Sequence, residues 1–310
     1  MFPVHADAAI EMAASLVRPH ARLIVASNSQ VPSMPVSPEL ARAIASEGAT
    51  VVSGRRQVLS AMKSVDVAIL GVPRQVEEFE RVVHGGVWRV PFVVRHGFNA
   101  FDELAVLGVP GFMSPSASAV GTMSSRLPSC RTFQSRKVVS PRSIRQGFEP
   151  AGSREGFFSY INDYDAWPEE KSKFDKIAAA FSGRNGTRPQ NVGAGSKSGR
   201  VNDMQLMPWA RGTIHLKGGH ACCNAVVRSL SVGTPVIMDS STRTKCFFDS
   251  INGMIVRDSI DEIVRELDKL DRDDDHMGKA IESARAAARQ FSYDDAYGAT
   301  LASWLGGIKA

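Results

Sequence analysis

Short apolar runs alternate along this chain with segments whose apolar residues recur at helical spacing. Strand-length runs fall at residues 21–26, 50–53, 65–72 and 90–95, and helical periodicity falls between them at 38–47, 56–63 and 74–83. Ahead of these, residues 1–4 read as the end of a short strand and 6–17 as a helix, with Ile10, Ala13, Ala14 and Val17 at helical spacing. Such alternation predicts a mostly parallel sheet wrapped by helices.

From about residue 115 to 155 the chain becomes rich in Ser, Pro and Arg and loses its periodicity, which marks a junction. Beyond it the pattern restarts. Strands are expected at 156–161, 190–192, 212–216, 235–239 and 253–256, and helices at 169–181, 220–232, 260–270, 277–290 and 293–305. The acidic run 271–275 reads as a solvated loop. The expected organisation is therefore a Rossmann-like domain over 1–130, a linker over 131–155, a second Rossmann-like domain over 156–290, and a C-terminal helix within 291–310 that packs back on the junction. The fold class is α/β, two doubly wound domains facing across a cleft.

Composition narrows the function classes. With 310 residues, 43% hydrophobic and 22% charged, the chain is long enough for two domains of ordinary globular make-up. A net charge of +5 without a run of five or six Lys or Arg argues against a nucleic-acid groove. Cys130, Cys222, Cys223 and Cys246 show no C-x-x-C spacing, which points to a reducing compartment. No apolar run approaches the ~18 residues of a membrane span, and the N-terminal apolar stretch lacks a basic leader, so a soluble, cytoplasmic protein without a transmembrane segment is expected.

The most informative stretch is 212–235, G-T-I-H-L-K-G-G-H-A-C-C-N-A-V-V-R-S-L-S-V-G-T-P. An apolar strand ends at Gly218 and Gly219, where missing side chains permit a tight turn and close approach of a ligand to the backbone. A helix is expected to open at His220. Its first amide N–H groups lack intrahelical acceptors and lie at the positive end of the helix dipole, which favours an anion such as phosphate. His220 and Asn224, four apart, share one face of the first turn. Gly233 and Pro235 stop the helix.

The segment H-A-C-C-N-A-V-V-R-S-L-S-V-G-T-P resembles the donor-binding signature of the UDP-glycosyltransferases, H-x-G-x-N-S-x-x-E-A-x-x-x-G-x-P. The resemblance implies the GT-B architecture of two Rossmann-like domains and a hexosyl- or pentosyltransferase that uses a nucleotide-diphosphate sugar, UDP-sugar favoured, with a carbohydrate or other hydroxyl acceptor. It assigns donor-phosphate contacts to His220 and Asn224, assisted by the backbone around Gly218, Gly219 and Ala221 and by Lys217. The family's ribose-gripping glutamate falls here on Arg228. Arginine cannot accept hydrogen bonds from ribose hydroxyls, so ribose is held by another group or Arg228 contributes a phosphate contact instead.

Other stretches carry candidate chemistry. The loop N-V-G-A-G-S-K-S-G at 191–199 offers Gly195, Ser196 and Lys197 to a phosphate. It equally resembles the G-x-G-x-x-x-G of an NADP-binding fold, so an NADP-dependent oxidoreductase is one alternative, and a non-catalytic nucleotide-sugar or carbohydrate-binding protein is another. Residues 3–16 are similar to the N-terminal loop and helix of the same glycosyltransferases, whose histidine deprotonates the acceptor; His5 matches it in position, with Asp7 nearby. A near-neutral histidine oriented by a carboxylate suits removal of a hydroxyl proton. His96, with Asp102 and Glu103 following, lies after the run 90–95, at a strand C-terminus where α/β sheets bind ligands. Asp163 and Asp165 form the D-x-D of the other large glycosyltransferase fold, but GT-B enzymes use helix ends and basic groups instead of a metal. No metal and no cofactor beyond the nucleotide-sugar co-substrate is expected.

Overall fold

The computed structural model describes residues 12, 21–27, 38–82, 90–95, 100–137, 154–161, 164–183, 186–193, 206–217, 224–245, 252–292 and 295–308. The chain divides into two compact units, Met1–Ser140 with Tyr293–Ala310, and Pro141–Ser292.

The first unit follows the expected alternation. Strands β1 (Ile24–Ser27), β2 (Thr50–Ser53), β3 (Ala68–Leu70) and β4 (Phe92–Arg95) alternate with helices α1 (Pro38–Ser46), α2 (Gly54–Met62) and α3 (Pro73–Val82). Then come α4 (Phe101–Val106), β5 (Gly111–Ser114), α5 (Ala117–Arg126) and β6 (Arg131–Gln134). Every described ladder is parallel; β1 pairs with β2, and β3-β4-β5-β6 form a second set in sequence order.

Period-two side-chain direction sorts this core. Leu70, Phe92, Val94 and Phe112 face one cluster with Val58, Val76, Phe79, Leu104 and Met123 of the helices. Ile69, Val93 and Met113 face a second with Ile44 and with Tyr297, Leu301 and Leu305 of the C-terminal helix. Strands apolar on both faces are what a doubly covered parallel sheet requires. Met12 is helical and joins the second cluster.

Two differences from the sequence-based layout stand out. The segment expected to be a junction from about 115, with its linker beginning at 131, instead contains α5 and β6, which complete the first sheet. The C-terminal helix, expected to pack on the junction, lies within the first unit, where Trp304 and Tyr297 meet Phe133 at ring separations of 5.1 and 6.2 Å.

The second unit restarts with β7 (Phe157–Ser159), α6 (Pro168–Ala180), β8 (Gln190–Asn191) and β9 (Gly212–Ile214). It continues through α7 (Asn224–Ser231), β10 (Val236–Met238), α8 (Ser240–Lys245), β11 (Ile255–Val256), α9 (Ile260–Arg272) and α10 (Asp274–Ala288); α11 (Asp295–Gly306) is the C-terminal helix of the first unit. The sheet is parallel throughout, in the order β11-β10-β9-β7-β8. Ile214, Leu216 and Ile237 face a core with Phe174, Ile177, Ile263 and Leu267. The opposite face packs Tyr160, Val192, Met207 and Val232 with Ala225 of α7.

The acidic run 271–275 is not a loop. Asp271 lies in the last turn of α9, buried beside Arg211, and Asp273 accepts from the His276 amide to cap α10. Helix α7 stops as expected: Gly233 adopts φ +70°, and a Cβ there would meet Arg285 Nε at 3.1 Å. Among the described residues no helix is long and apolar enough to cross a membrane.

Candidate functional site

Strand order identifies where a ligand belongs in the second unit. After β7 the chain builds β8 on one side and then crosses to place β9 on the other. The crevice beyond the carboxyl ends of β7 and β9 is thus a topological switch point, the usual ligand position in an open α/β sheet. The strand and helix of the 212–235 motif are β9 and α7, so the motif occupies this point.

The two loops leaving the switch point meet. Lys217, two residues after His215 in the β9 loop, sets its Nζ 5.7 Å from the ring centre of Trp167, which ends the β7 loop. Trp167 is also the residue before α6, held by its amide donating to Tyr164 O at 2.9 Å. The β7 loop is tied to β8 as well, through Asn191 Nδ2 donating to Ile161 O at 3.0 Å.

Asn224 is the first described residue of α7, and Arg228 lies one turn on, half-buried. Burial pushes the Arg228 guanidinium below the ordinary arginine value. Thr213 Oγ1 and Ser229 Oγ lie 2.7 Å apart and lock β9 to α7 through a buried bond. Beneath, Arg154 braces the opposite strand ends, donating to Thr234 Oγ1 at 2.7 Å and to Val232 O at 3.1 Å.

Toward the sheet edge the rim is already committed. Lys173 Nζ donates to Asp239 Oδ2 at 2.7 Å, the Thr242 amide donates to Asp239 Oδ1 at 2.7 Å, and Ser240 holds Asp258 through its amide and hydroxyl. Burial alone would raise the Asp239 carboxyl, but the bonds from Lys173 and Thr242 outweigh it and hold it below the ordinary aspartate value.

Of the residues proposed from sequence for the donor, Lys217, Asn224 and Arg228 lie around the switch point. Gly218, Gly219, His220 and Ala221, and Gly195, Ser196 and Lys197, lie outside the described residues, as do His5, Asp7 and His96. Asp102, expected in a loop, stands in the first turn of α4, exposed, with its carboxylate paired to Arg126. Asp163 is also outside the described residues; Asp165 is exposed, 3.8 Å from Lys171.

One residue of the site was not singled out from sequence. His215 follows β9 directly, is only 2% exposed, and neither ring nitrogen has a hydrogen-bond partner among the described residues. The signal available was a lone imidazole in a largely apolar strand shortly before the glycine turn.

No protein-family model matches the chain, and no curated protein matches it in sequence. Solved structures do match in fold. HepE from Anabaena in complex with UDP-glucose is 12% identical, with 99% of this chain and 97% of that chain covered at a TM-score of 0.63. Sucrose-phosphate synthase from Thermosynechococcus elongatus is 7% identical over 95% of this chain and 90% of that chain, TM-score 0.58. A UDP-forming alpha,alpha-trehalose-phosphate synthase from Burkholderia xenovorans, in complex with glucose-6-phosphate, is 9% identical over 81% and 75%, TM-score 0.57. The chain therefore has the α/β fold of the GT-B glycosyltransferases, with two Rossmann-like units.

Proposed function

We propose that this protein is a glycosyltransferase that moves a sugar from a nucleotide-diphosphate donor, UDP-sugar favoured, to a hydroxyl of a carbohydrate or other acceptor, without a metal. The observation that carries this is the position of the 212–235 motif: its strand and helix, β9 and α7, are the elements at the switch point of the second parallel sheet. The solved structures of the same fold that bind UDP and UDP-glucose support the donor class.

The chemistry follows from charge. An acceptor oxygen attacks the anomeric carbon as the bond from that carbon to the β-phosphate oxygen breaks, and the departing diphosphate gains negative charge. Orphan amides at a helix start, His220, Asn224 and Lys217 oppose that charge in a preorganised way. Arg228, in place of the family's glutamate, adds positive charge on the same helix and shifts recognition from ribose toward phosphate. The acceptor proton goes to His5, oriented by Asp7, or to His96; Asp102 already serves Arg126.

His220→Ala tests this proposal. A hydrogen bond to a charged group is worth about 1.5–3 kcal/mol, so UDP affinity by calorimetry should fall more than tenfold. Turnover at saturating donor should fall too, because the contact strengthens as the leaving group forms. Unchanged affinity in a folded variant would remove the histidine from the donor site, and UDP binding that vanishes in EDTA and returns with Mn²⁺ would overturn the metal-free chemistry.

A further inference from the structure

His215 is placed with unusual definition for a residue whose ring nitrogens bond to nothing among the described residues. Its amide donates to Ile237 O at 2.8 Å, so the residue continues the β9–β10 ladder beyond the strand proper. Side-chain direction alternates along an extended chain. Ile214 and Leu216 face the core under α6 and α9, whereas Thr213 faces α7 through its bond to Ser229. His215, two residues beyond Thr213, shares the α7 face.

Register fixes its flanks. Phe158 and Val236 pair with Thr213, so two residues on, Tyr160 and Met238 stand either side of His215, and both are buried. The imidazole thus sits between two buried side chains, one pleat beyond the Thr213–Ser229 bond, at the strand end from which the chain passes to α7. A buried polar ring left without partners is uncommon in folded proteins and calls for a ligand or a strain that function uses. A neutral imidazole carries one N–H donor and one acceptor nitrogen, and the start of α7, the next described helix in the chain, favours an anion.

We infer that His215 is a second donor-binding histidine, its ring N–H donating to a phosphate oxygen of the bound nucleoside diphosphate. The inference rests on the nucleotide-sugar reading and adds to it a buried contact from the strand side, opposite the contacts from the helix. It also gives the ring the hydrogen-bond partner that it lacks among the described residues.

Stability and binding should consequently move in opposite directions. His215→Leu replaces the unsatisfied ring by an apolar side chain in a buried setting, so its melting temperature without ligand should equal or exceed that of the wild type. The same variant should bind UDP at least fivefold more weakly by calorimetry. His215→Gln, which keeps a donor and an acceptor, should recover part of the loss. A His215→Leu variant that binds UDP as tightly as the wild type overturns the inference and leaves the glycosyltransferase proposal standing. Variants that both melt well below the wild type or fail to fold show a structural histidine and overturn it equally. A wild type that binds no UDP overturns the functional proposal and this inference together.

Discussion

The carboxyl ends of the strands in the two units use their polar side chains differently. In the first unit these groups tie down the protein's own turns. Beyond β3, buried Gln75 accepts from the Gly71 amide at 2.5 Å; at β5, Ser114 Oγ accepts from the Ser116 amide, and Ser116 in turn caps α5 by accepting from the Ala119 amide at 2.9 Å. The Ser135 hydroxyl is an exception, buried without a partner among the described residues. In the second unit β10 and the edge strand β11 are tied in the same manner by Lys173, Asp239 and Asp258, but the switch-point strand β9 leads into a histidine whose two ring nitrogens are unengaged among the described residues and a lysine that rests on an aromatic ring. A rim that satisfies itself holds a fold together. A rim with polar capacity left over is available to a ligand, and here the surplus lies where strand order places one.

That contrast can be broken by making the same kind of change on each side of it. Gln75→Met strands the part-buried Gly71 amide, which costs about 1 kcal/mol; the melting temperature should fall and UDP affinity in the folded protein should stay within twofold. His215→Leu should do the reverse on both counts. Equal losses of stability at the two positions would erase the distinction between tied and untied rims.

A smaller effect comes from acid. Asp239 and Glu266 are both held below their ordinary carboxyl values: burial opposes ionisation in each, but Lys173 and Thr242 outweigh it at Asp239, and His276 with Arg257 outweighs it at Glu266. Depressed folded-state values mean these groups stabilise the fold fully above their unfolded values of about 4 and lose that contribution as pH falls below them. Melting temperature should be nearly flat from neutrality down to about pH 5 and decline below about pH 4. Glu266→Gln should flatten the decline while lowering the plateau, as removal of one partner of a buried ionic group does; an unaltered acid limb would exclude Glu266 as a contributor.

The ease of reading the fold from the sequence varied with how strongly each element is patterned. Strand β2 is found at Thr50–Ser53, as expected, and α1 ends one residue from its expected bound, because an apolar run beside a strongly amphipathic helix leaves little choice. Helix α5 buries only Ala119 and Met123, its remaining Ser and Thr residues look like loop, and β6 exposes Arg131 and Gln134; both were hidden by composition, and β6 is revealed by its pairing with β5 and α5 by its packing on the two strands. Asp271 sat in a run of acids that looks solvated, yet Arg211 gives it a buried partner far upstream in the chain, a relationship no local window contains. The donor motif was legible because its spacing is dictated by a strand, a glycine turn and a helix start. His215 was not, since its significance depends on which face of β9 carries α7 and on the absence of a partner, and neither is a property of the local sequence.

The proposed function requires the diphosphate of a nucleotide sugar to bind at the switch point of the second sheet. A crystal structure of the protein with UDP tests it most directly. The diphosphate is expected at the start of α7, with Asn224 and the His215 ring nitrogen within hydrogen-bond distance and Lys217 turned from Trp167 toward a phosphate. A nucleotide seated instead on the glycine loop after β8, with the end of β9 empty, would contradict it.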